Sequence, residues 1–334
     1  MSRITLLGDG GWGTALACLL VENGHQVALW GAFPEATAEM RRAKENVKFL
    51  PGTRLPDSLE LTNDLPAAVR PADLVVFSTP VVYLRSVAEK AAPAVRAGAA
   101  RIVNVAKGIE HETLLRGSEI IAKALGGERE VGILVGPSHA EEVARKLPTT
   151  VVAAAHDPAL ALEIQRVFMC DRFRVYTSDD PIGAEIGAAV KNVIAIAAGI
   201  CDGLGFGDNT KSALLTRGLA EIARLGEALG ARRETFMGLS GLGDLITTCV
   251  SPYGRNLRVG RGIGAGKSLD QVLQELAPMV PEGVWSTRSV CRLAERCGVE
   301  MPIARAVESV LFENKPALQA AQELMTRDPK PETR

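Results

Sequence analysis

Gly8-Asp9-Gly10-Gly11-Trp12-Gly13 decides the fold. The stretch spells GxGxxG. It follows the apolar run Ile4–Leu7 and leads at once into the helical pattern Gly13–Val21; a second β-rich run then covers Val27–Trp30. Strand, glycine turn, helix and second strand in that order make a dinucleotide-binding unit. Gly8 suits the tight turn, Gly10 lets backbone approach a pyrophosphate, and Gly13 lets the helix pack on the strand. The helix N-terminus offers N–H donors and partial positive charge to phosphates. The second strand ends in Trp30-Gly31-Ala32-Phe33, without the immediate acid that binds a ribose 2′-hydroxyl or the Arg that takes a 2′-phosphate. Glu35, Arg41 and Arg42 follow on a helical segment, so NAD(H) and NADP(H) both stay open as cofactor.

Working outward, Leu74–Phe77, Ile102–Val105, Gly132–Val135, Thr150–Ala153 and Arg174–Tyr176 read as further strands. Helical stretches such as Arg85–Ala92 and Leu114–Ala124 fall between most of them. The alternation predicts an α/β, Rossmann-like, doubly wound parallel sheet. Beyond Ser178 the pattern turns helical: Ile182–Ile200, Lys211–Leu229, Leu269–Leu276, Val284–Cys297 and Ala304–Leu311 all carry helical periodicity. The expected organisation is a dinucleotide-binding domain over 1–178, an all-α domain over 179–326, and a flexible polar tail over 327–334. A chain of 334 residues suits two domains.

Composition narrows the function. The formal net charge is −1 and no long basic run occurs, which argues against nucleic-acid binding. The six cysteines form no CxxC pair and the four histidines are scattered, which argues against a zinc site or a disulfide framework. Reduced core cysteines fit a cytoplasmic location. The glycine turn interrupts any signal-peptide apolar core, and the longest apolar stretch, Val193–Cys201, is too short for a membrane span.

The chemistry-bearing candidates are few. Lys191 and Asn192 are the strongly polar residues of the otherwise apolar Ile186–Ile200. An ammonium there is costly unless paired or functional, so Lys191 is a candidate acid/base of lowered pKa; a lysine snorkelling at a domain edge is the alternative. Lys107 lies just past a strand end, where open α/β sheets bind ligands, or is a solvated loop residue. Gly136-Pro137-Ser138-His139-Ala140 follows another strand, with Ser138 as helix cap, substrate contact or both. His139 has no evident acidic partner and reads as non-catalytic. Asp244 opens a helix and could be only its cap. Gly254-Arg255-Asn256 offers a guanidinium fork suited to a phosphate monoester, and Glu282 could touch a ribose.

These residues together resemble bacterial NAD(P)-dependent glycerol-3-phosphate dehydrogenases over nearly the whole chain. The resemblance is carried by GDGGWGTAL at Gly8–Leu16, AKGIE at Ala106–Glu110, GPSHAEEV at Gly136–Val143 and FRVY at Phe173–Tyr176. EIGAAVKN at Glu185–Asn192, DGLGFGD at Asp202–Asp208, TRGLAEIARL at Thr216–Leu225, GLGD at Gly241–Asp244, Arg255-Asn256 and VPEG at Val280–Gly283 complete it. It implies reversible hydride transfer between NAD(P)H and dihydroxyacetone phosphate, giving sn-glycerol 3-phosphate for phospholipid synthesis, in a homodimer. It also implies roles: Lys191 as general acid/base, aided by Lys107 and Asp244. Gly136, Ser138, Asn192, Thr248, Gly254, Arg255 and Asn256 join these three on the substrate side. Gly8, Gly10, Gly11, Trp12, Gly13, Lys107, Ala140, Arg255, Val280 and Glu282 fall on the cofactor side. Two positions depart from the family pattern: Gly11 replaces a common Ser or Ala, and Ala32-Phe33 replaces a common His or Arg, which removes a partner for a 2′-phosphate. The rival readings are a two-domain dehydrogenase of hydroxy acids or ketopantoate, and a non-catalytic dinucleotide sensor.

Overall fold

The computed structural model describes residues 1–127, 129–329 and 331–332. Its strands, in chain order, are β1 (Arg3–Leu7), β2 (Gln26–Trp30), β3 (Glu45–Asn46), β4 (Leu50–Arg54), β5 (Glu60–Thr62), β6 (Leu74–Phe77), β7 (Arg101–Asn104), β8 (Val131–Val135), β9 (Thr149–Ala154) and β10 (Phe173–Ser178). Eight of them form one sheet in the order β10-β9-β8-β7-β6-β1-β2-β5; β3 and β4 form a separate antiparallel pair. Helices cover both faces, so the central strands are apolar on both sides, as β6 (LVVF) and β8 (VGILV) show. The order reverses between β1 and β6, which opens a crevice at their carboxyl ends just where the glycine turn stands.

The sheet departs from the all-parallel expectation at one step: β9 runs antiparallel to β8, with Val135 opposite Val152. The connection holds only the five-residue helix Ala140–Ala144. Such a helix climbs roughly 7–8 Å, less than half the ~17 Å of a five-residue strand, so the chain cannot recross the sheet and re-enters from the same edge. The helix expected from Leu114 begins at Gly117. Leu114 adopts φ 60, a left-handed conformation incompatible with a helix start, and an isolated bridge joins Ile109 to Arg116. The short strands between 45 and 62 carry too little apolar alternation to be read from sequence.

Beyond Ser178 every regular element among the described residues is helical. The helix Pro181–Gly203 forms the axis of this half, with Asp180 capping it by accepting from Gly183 N at 2.9 Å. It has 23 residues, with mean hydropathy 1.6 over its best 18-residue window, so length and composition alone would let it cross a membrane. That window is wholly buried against neighbouring helices. Ala184 and Ala188 of this helix pack on Ile133, Val135, Val152 and Ala154 of β8 and β9, joining helices to sheet. The last helix ends at Met325; of the segment expected to form a tail, residues 330, 333 and 334 lie outside the described residues.

Small residues set how closely the axial helix is approached. It crosses the helix Arg255–Gly264 at two glycine pairs. A Cβ on Gly199 would lie 2.1 Å from Leu257 O, and one on Gly260 would lie 2.0 Å from Ile196 O. Gly203 and Gly264 repeat the contact one turn along. The crossing carries Arg255 and Asn256 to the axial helix. Gly260→Ala is therefore expected to destabilise the protein by about 1–3 kcal/mol, as overpacking does, read as a lower urea midpoint. An unchanged midpoint would show that the crossing tolerates a wider spacing.

Candidate functional site

One turn before Lys191 on the axial helix is Gly187. A Cβ there would lie 2.4 Å from Ser240 O, so its absence admits the π-helical turn Leu239–Gly243. That turn delivers Asp244 to the start of the helix Asp244–Val250, facing Lys191. Asp244 then serves two ammonium groups: Oδ1 accepts from Lys191 Nζ, and Oδ2 accepts from Lys107 Nζ at 3.0 Å. Thr248, one turn further, donates to Asp244 O at 2.7 Å, so its lone pairs are free to accept from Lys191 Nζ at 2.7 Å. Lys107 donates also to Gly136 O at 3.1 Å and to Ser138 Oγ at 3.4 Å, while Ser138 Oγ donates to Gly136 O at 2.8 Å.

Counting donors separates the two lysines. An ammonium has three N–H groups. Lys107 has all three engaged. Lys191 has two engaged among the described residues, leaving one position for a ligand in the cleft that both lysines line. Lys191 is buried, and burial pulls its amine down to about 7; Asp244 opposes that shift and the Lys107 charge adds to it. A titratable group near neutrality with one unengaged N–H is suited to moving a proton. His139, set aside from the sequence, also lines the cleft. Burial first, then the two lysine charges, take it down to about 4, so the imidazole is neutral at neutral pH.

At the other end of the cleft, Gly254 precedes the helix that starts with Arg255. Arg255 is exposed at the mouth and donates to Val280 O at 3.0 Å; among the described residues no carboxylate forms a salt bridge with it. Asn256 donates to Asn192 Oδ1 at 3.0 Å and accepts from Gly283 N at 3.0 Å, while Asn192 Nδ2 reaches Ala188 O at 3.4 Å. Glu282 accepts from Val81 N at 3.3 Å, tying the helical half to the end of β6; burial raises its carboxyl pKa and Arg255 opposes the shift.

The glycine turn fits a dinucleotide. Gly8 has φ 129, and a Cβ on it would meet Ser78 C at 2.9 Å. One on Gly13 would meet Gly8 O at 2.1 Å, which is the close strand–helix packing this motif requires. Gly10 has nothing within 4 Å of its missing Cβ, so the approach to the turn is open. The helix from Gly11 has no side-chain cap, and Trp12 Nε1 is a buried donor without a partner. Gly11, Trp12 and Ala140 share the cleft wall with the residues above, whereas Gly8, Gly13, Gly136 and Val280 are not part of its lining.

Other contributors were not singled out from the sequence. Phe49, Thr79 and Pro80 line the cleft. Glu185, two turns before Asn192, is buried and accepts from Arg116 Nη1 at 2.7 Å, Ser118 N at 2.8 Å, Asn104 Nδ2 at 3.1 Å and the Ser118 hydroxyl. Asn104 in turn accepts from Ala106 N at 3.0 Å, fixing the turn that presents Lys107. The available signal was the one that exposed Lys191: a charge inside an apolar helix.

Residues 3–161 match the family described as NAD-dependent glycerol-3-phosphate dehydrogenase N-terminus, and residues 180–322 match its C-terminus counterpart. The chain is 50% identical over 331 residues to a glycerol-3-phosphate dehydrogenase (NAD(P)+) of Prosthecochloris aestuarii, covering 98% of this chain and 99% of the relative. The crystal structure of glycerol-3-phosphate dehydrogenase from Coxiella burnetii superposes with TM-score 0.93 at 36% identity, covering 98% of this chain and 99% of that one. A ketopantoate reductase from Ralstonia eutropha, at TM-score 0.58 and 17% identity over 95% and 99% of the two chains, shares the fold alone.

The lysine geometry has a measurable consequence. With lysines methylated by 13C-labelled formaldehyde and assigned through Lys191→Arg, one amine is expected to titrate at about 7 by NMR. Because Asp244 favours the charged form, Asp244→Asn moves that titration lower. A Lys191 signal that titrates at its ordinary value near 10.5 would contradict the buried geometry.

Proposed function

The chain belongs to the NAD-dependent glycerol-3-phosphate dehydrogenase family, and from that premise we propose that Lys191 is the general acid/base of its reaction. The reaction itself follows from membership: the enzyme is an NAD(P)-dependent oxidoreductase that interconverts dihydroxyacetone phosphate and sn-glycerol 3-phosphate. We propose further that it supplies glycerol 3-phosphate for phospholipid synthesis.

When bound, the nicotinamide supplies or accepts the hydride at the substrate's central carbon. Lys191, as ammonium, steadies the negative charge growing on the carbonyl oxygen and donates a proton to it. In the reverse direction the neutral amine accepts the hydroxyl proton. Asp244 and Thr248 aim Lys191, leaving its third N–H toward the cleft. Lys107, with its donors engaged, adds positive charge and holds the second oxygen of Asp244. Arg255, Asn256 and the backbone at Gly254 receive the phosphate; Gly136, Ser138 and Asn192 complete the substrate wall. Gly8, Gly10, Gly11, Trp12 and Gly13 seat the pyrophosphate, with Lys107, Ala140, Arg255, Val280 and Glu282 facing the rest of the cofactor. The observation that carries this reading is the single buried amine, depressed to about 7, with one unused donor.

The same reading divides the chain into a cofactor domain over 1–178, a helical domain over 179–326 and a short tail. The helical domain is the dimerisation surface, a proposal that light scattering on the purified protein tests. The axial helix belongs to the core and not to a bilayer, in line with its burial. Six unpaired cysteines agree with a reducing, cytoplasmic setting.

Lys191→Ala is expected to keep NADH binding and lose at least about 100-fold in turnover with dihydroxyacetone phosphate. Near-normal turnover by a folded variant would refute the assignment. For the wild type, kcat/KM for reduction falls as pH rises through about 7, because the ammonium is the donor, and kcat/KM for oxidation rises over the same range. Profiles with the opposite signs would exclude Lys191 from proton transfer. Arg255→Ala is expected to raise KM for dihydroxyacetone phosphate by about tenfold or more, the weight of a lost charge-assisted hydrogen bond. A panel of keto acids turned over faster than the triose phosphate would favour the rival dehydrogenase reading.

A further inference from the structure

The second strand of a dinucleotide-binding unit ordinarily ends near an acid that accepts from the adenosine ribose. Here β2 ends at Trp30 and Gly31 follows. A carboxylate nevertheless stands at that spot. A Cβ on Gly31 would lie 2.4 Å from Asp9 Oδ2, 2.9 Å from the Asp9 carboxyl carbon and 3.0 Å from Thr37 Oγ1. Asp9, the second residue of the glycine turn, reaches across to the end of β2 and fills the space from which a side chain at 31 would project. Gly31 is what admits it.

We infer that Asp9 is the ribose acceptor of this enzyme, taking the adenosine 2′-hydroxyl and selecting NADH over NADPH. The inference rests on the dinucleotide reading of the glycine turn. Asp9 is anchored by its main chain, whose carbonyl accepts from Asn46 Nδ2 at 2.8 Å and Thr14 Oγ1 at 3.4 Å. Its neighbour Thr37 is already engaged, donating to Phe33 O at 3.2 Å and accepting from Asn63 Nδ2 at 2.7 Å. Among the described residues no cation forms a salt bridge with Asp9. Burial raises the Asp9 carboxyl pKa, while Lys48, seated 5.0 Å from the centre of the Phe49 ring, lowers it.

Of the cations near this strand end, Lys48 acts on Asp9 and forms no salt bridge among the described residues, whereas three others are poorly disposed toward a 2′-phosphate. Arg41, one turn from Thr37, donates to Leu61 O. Lys44 pairs with Asp57 at 3.0 Å. Arg42 falls roughly 140° round the helix from Thr37. A 2′-phosphate would meet the Asp9 carboxylate, and juxtaposed like charges discriminate against a ligand.

Fluorescence titration of NADH and NADPH without substrate tests this on the wild type, Asp9→Asn and Asp9→Ala. The expected result is wild-type NADH binding at least about tenfold tighter than NADPH, the scale of one charge-assisted hydrogen bond. Asp9→Asn keeps the shape and removes the charge, so it weakens NADH and strengthens NADPH; Asp9→Ala brings the two within about threefold of each other. A wild type that binds NADPH as tightly as NADH overturns the inference, and so do folded variants that keep the wild-type ratio. Failure of the wild type to bind either nucleotide would instead remove the dinucleotide reading itself.

Discussion

One carboxylate held between two lysines is the constraint on which the rest of the structure depends. Asp244 lies within hydrogen-bond reach of Lys191 and Lys107, and the three side chains come from different parts of the chain. The cluster carries one positive charge more than negative. Leaving such an excess in a buried place is unfavourable until an anion arrives, and Arg255 at the mouth deepens the deficit. The cleft is therefore built for a ligand that brings negative charge at one end and develops it at the other. A phosphorylated ketone undergoing reduction does both.

Holding this cluster requires backbone to come closer than side chains allow. Gly187 lets the turn before Asp244 rest on the axial helix, and Gly199 with Gly260 lets the helix bearing Arg255 do the same. From the other side, Glu185 reaches out of the axial helix to Arg116, Ser118 and Asn104, and Asn104 shapes the turn leading to Lys107. One helix thus carries Lys191, the glycine that admits the turn leading to Asp244, and the acid that ties it to the sheet. The antiparallel entry of β9 belongs to the same arrangement. β8 and β9 pack under Ala184 and Ala188, so the axial helix is seated on the sheet.

Much of this was legible in the sequence because the signals were local. GxGxxG between two strands pointed to the cofactor half, and a lysine inside IGAAVKNVIAIAAGI pointed to a buried charge in the cleft, since burying a charge needs a reason. What escaped was pairwise. Lys107 and Asp244 are 137 residues apart, so nothing nearby announces that they meet. Glu185 carried the same signal as Lys191 but its partners lie on the sheet side of the molecule. The spacing of Gly199 with Gly203, and of Gly260 with Gly264, matched a close helix crossing only once both helices were in place. Asp9 was hidden for a related reason: the end of β2 looked bare, and the charge at that place arrives from the neighbouring strand's turn.

The depressed Lys191 amine has a cost that the fold must carry. An unfolded chain would hold that proton up to the ordinary value of 10.5, whereas the folded protein releases it at about 7. The folded state therefore binds fewer protons between those two values, and stability rises with pH across that window. Below about 7 the buried ammonium weighs fully against folding. An enzyme under selection for stability alone would replace Lys191 with an apolar residue, as the surrounding Ile, Val and Ala side chains suggest. Its retention, with Asp244 aligned to moderate the penalty without removing it, leaves an amine that can exist in either protonation state near neutral pH. Reversible proton transfer at an alcohol oxygen requires that property, and an exposed lysine at its ordinary pKa would lack it.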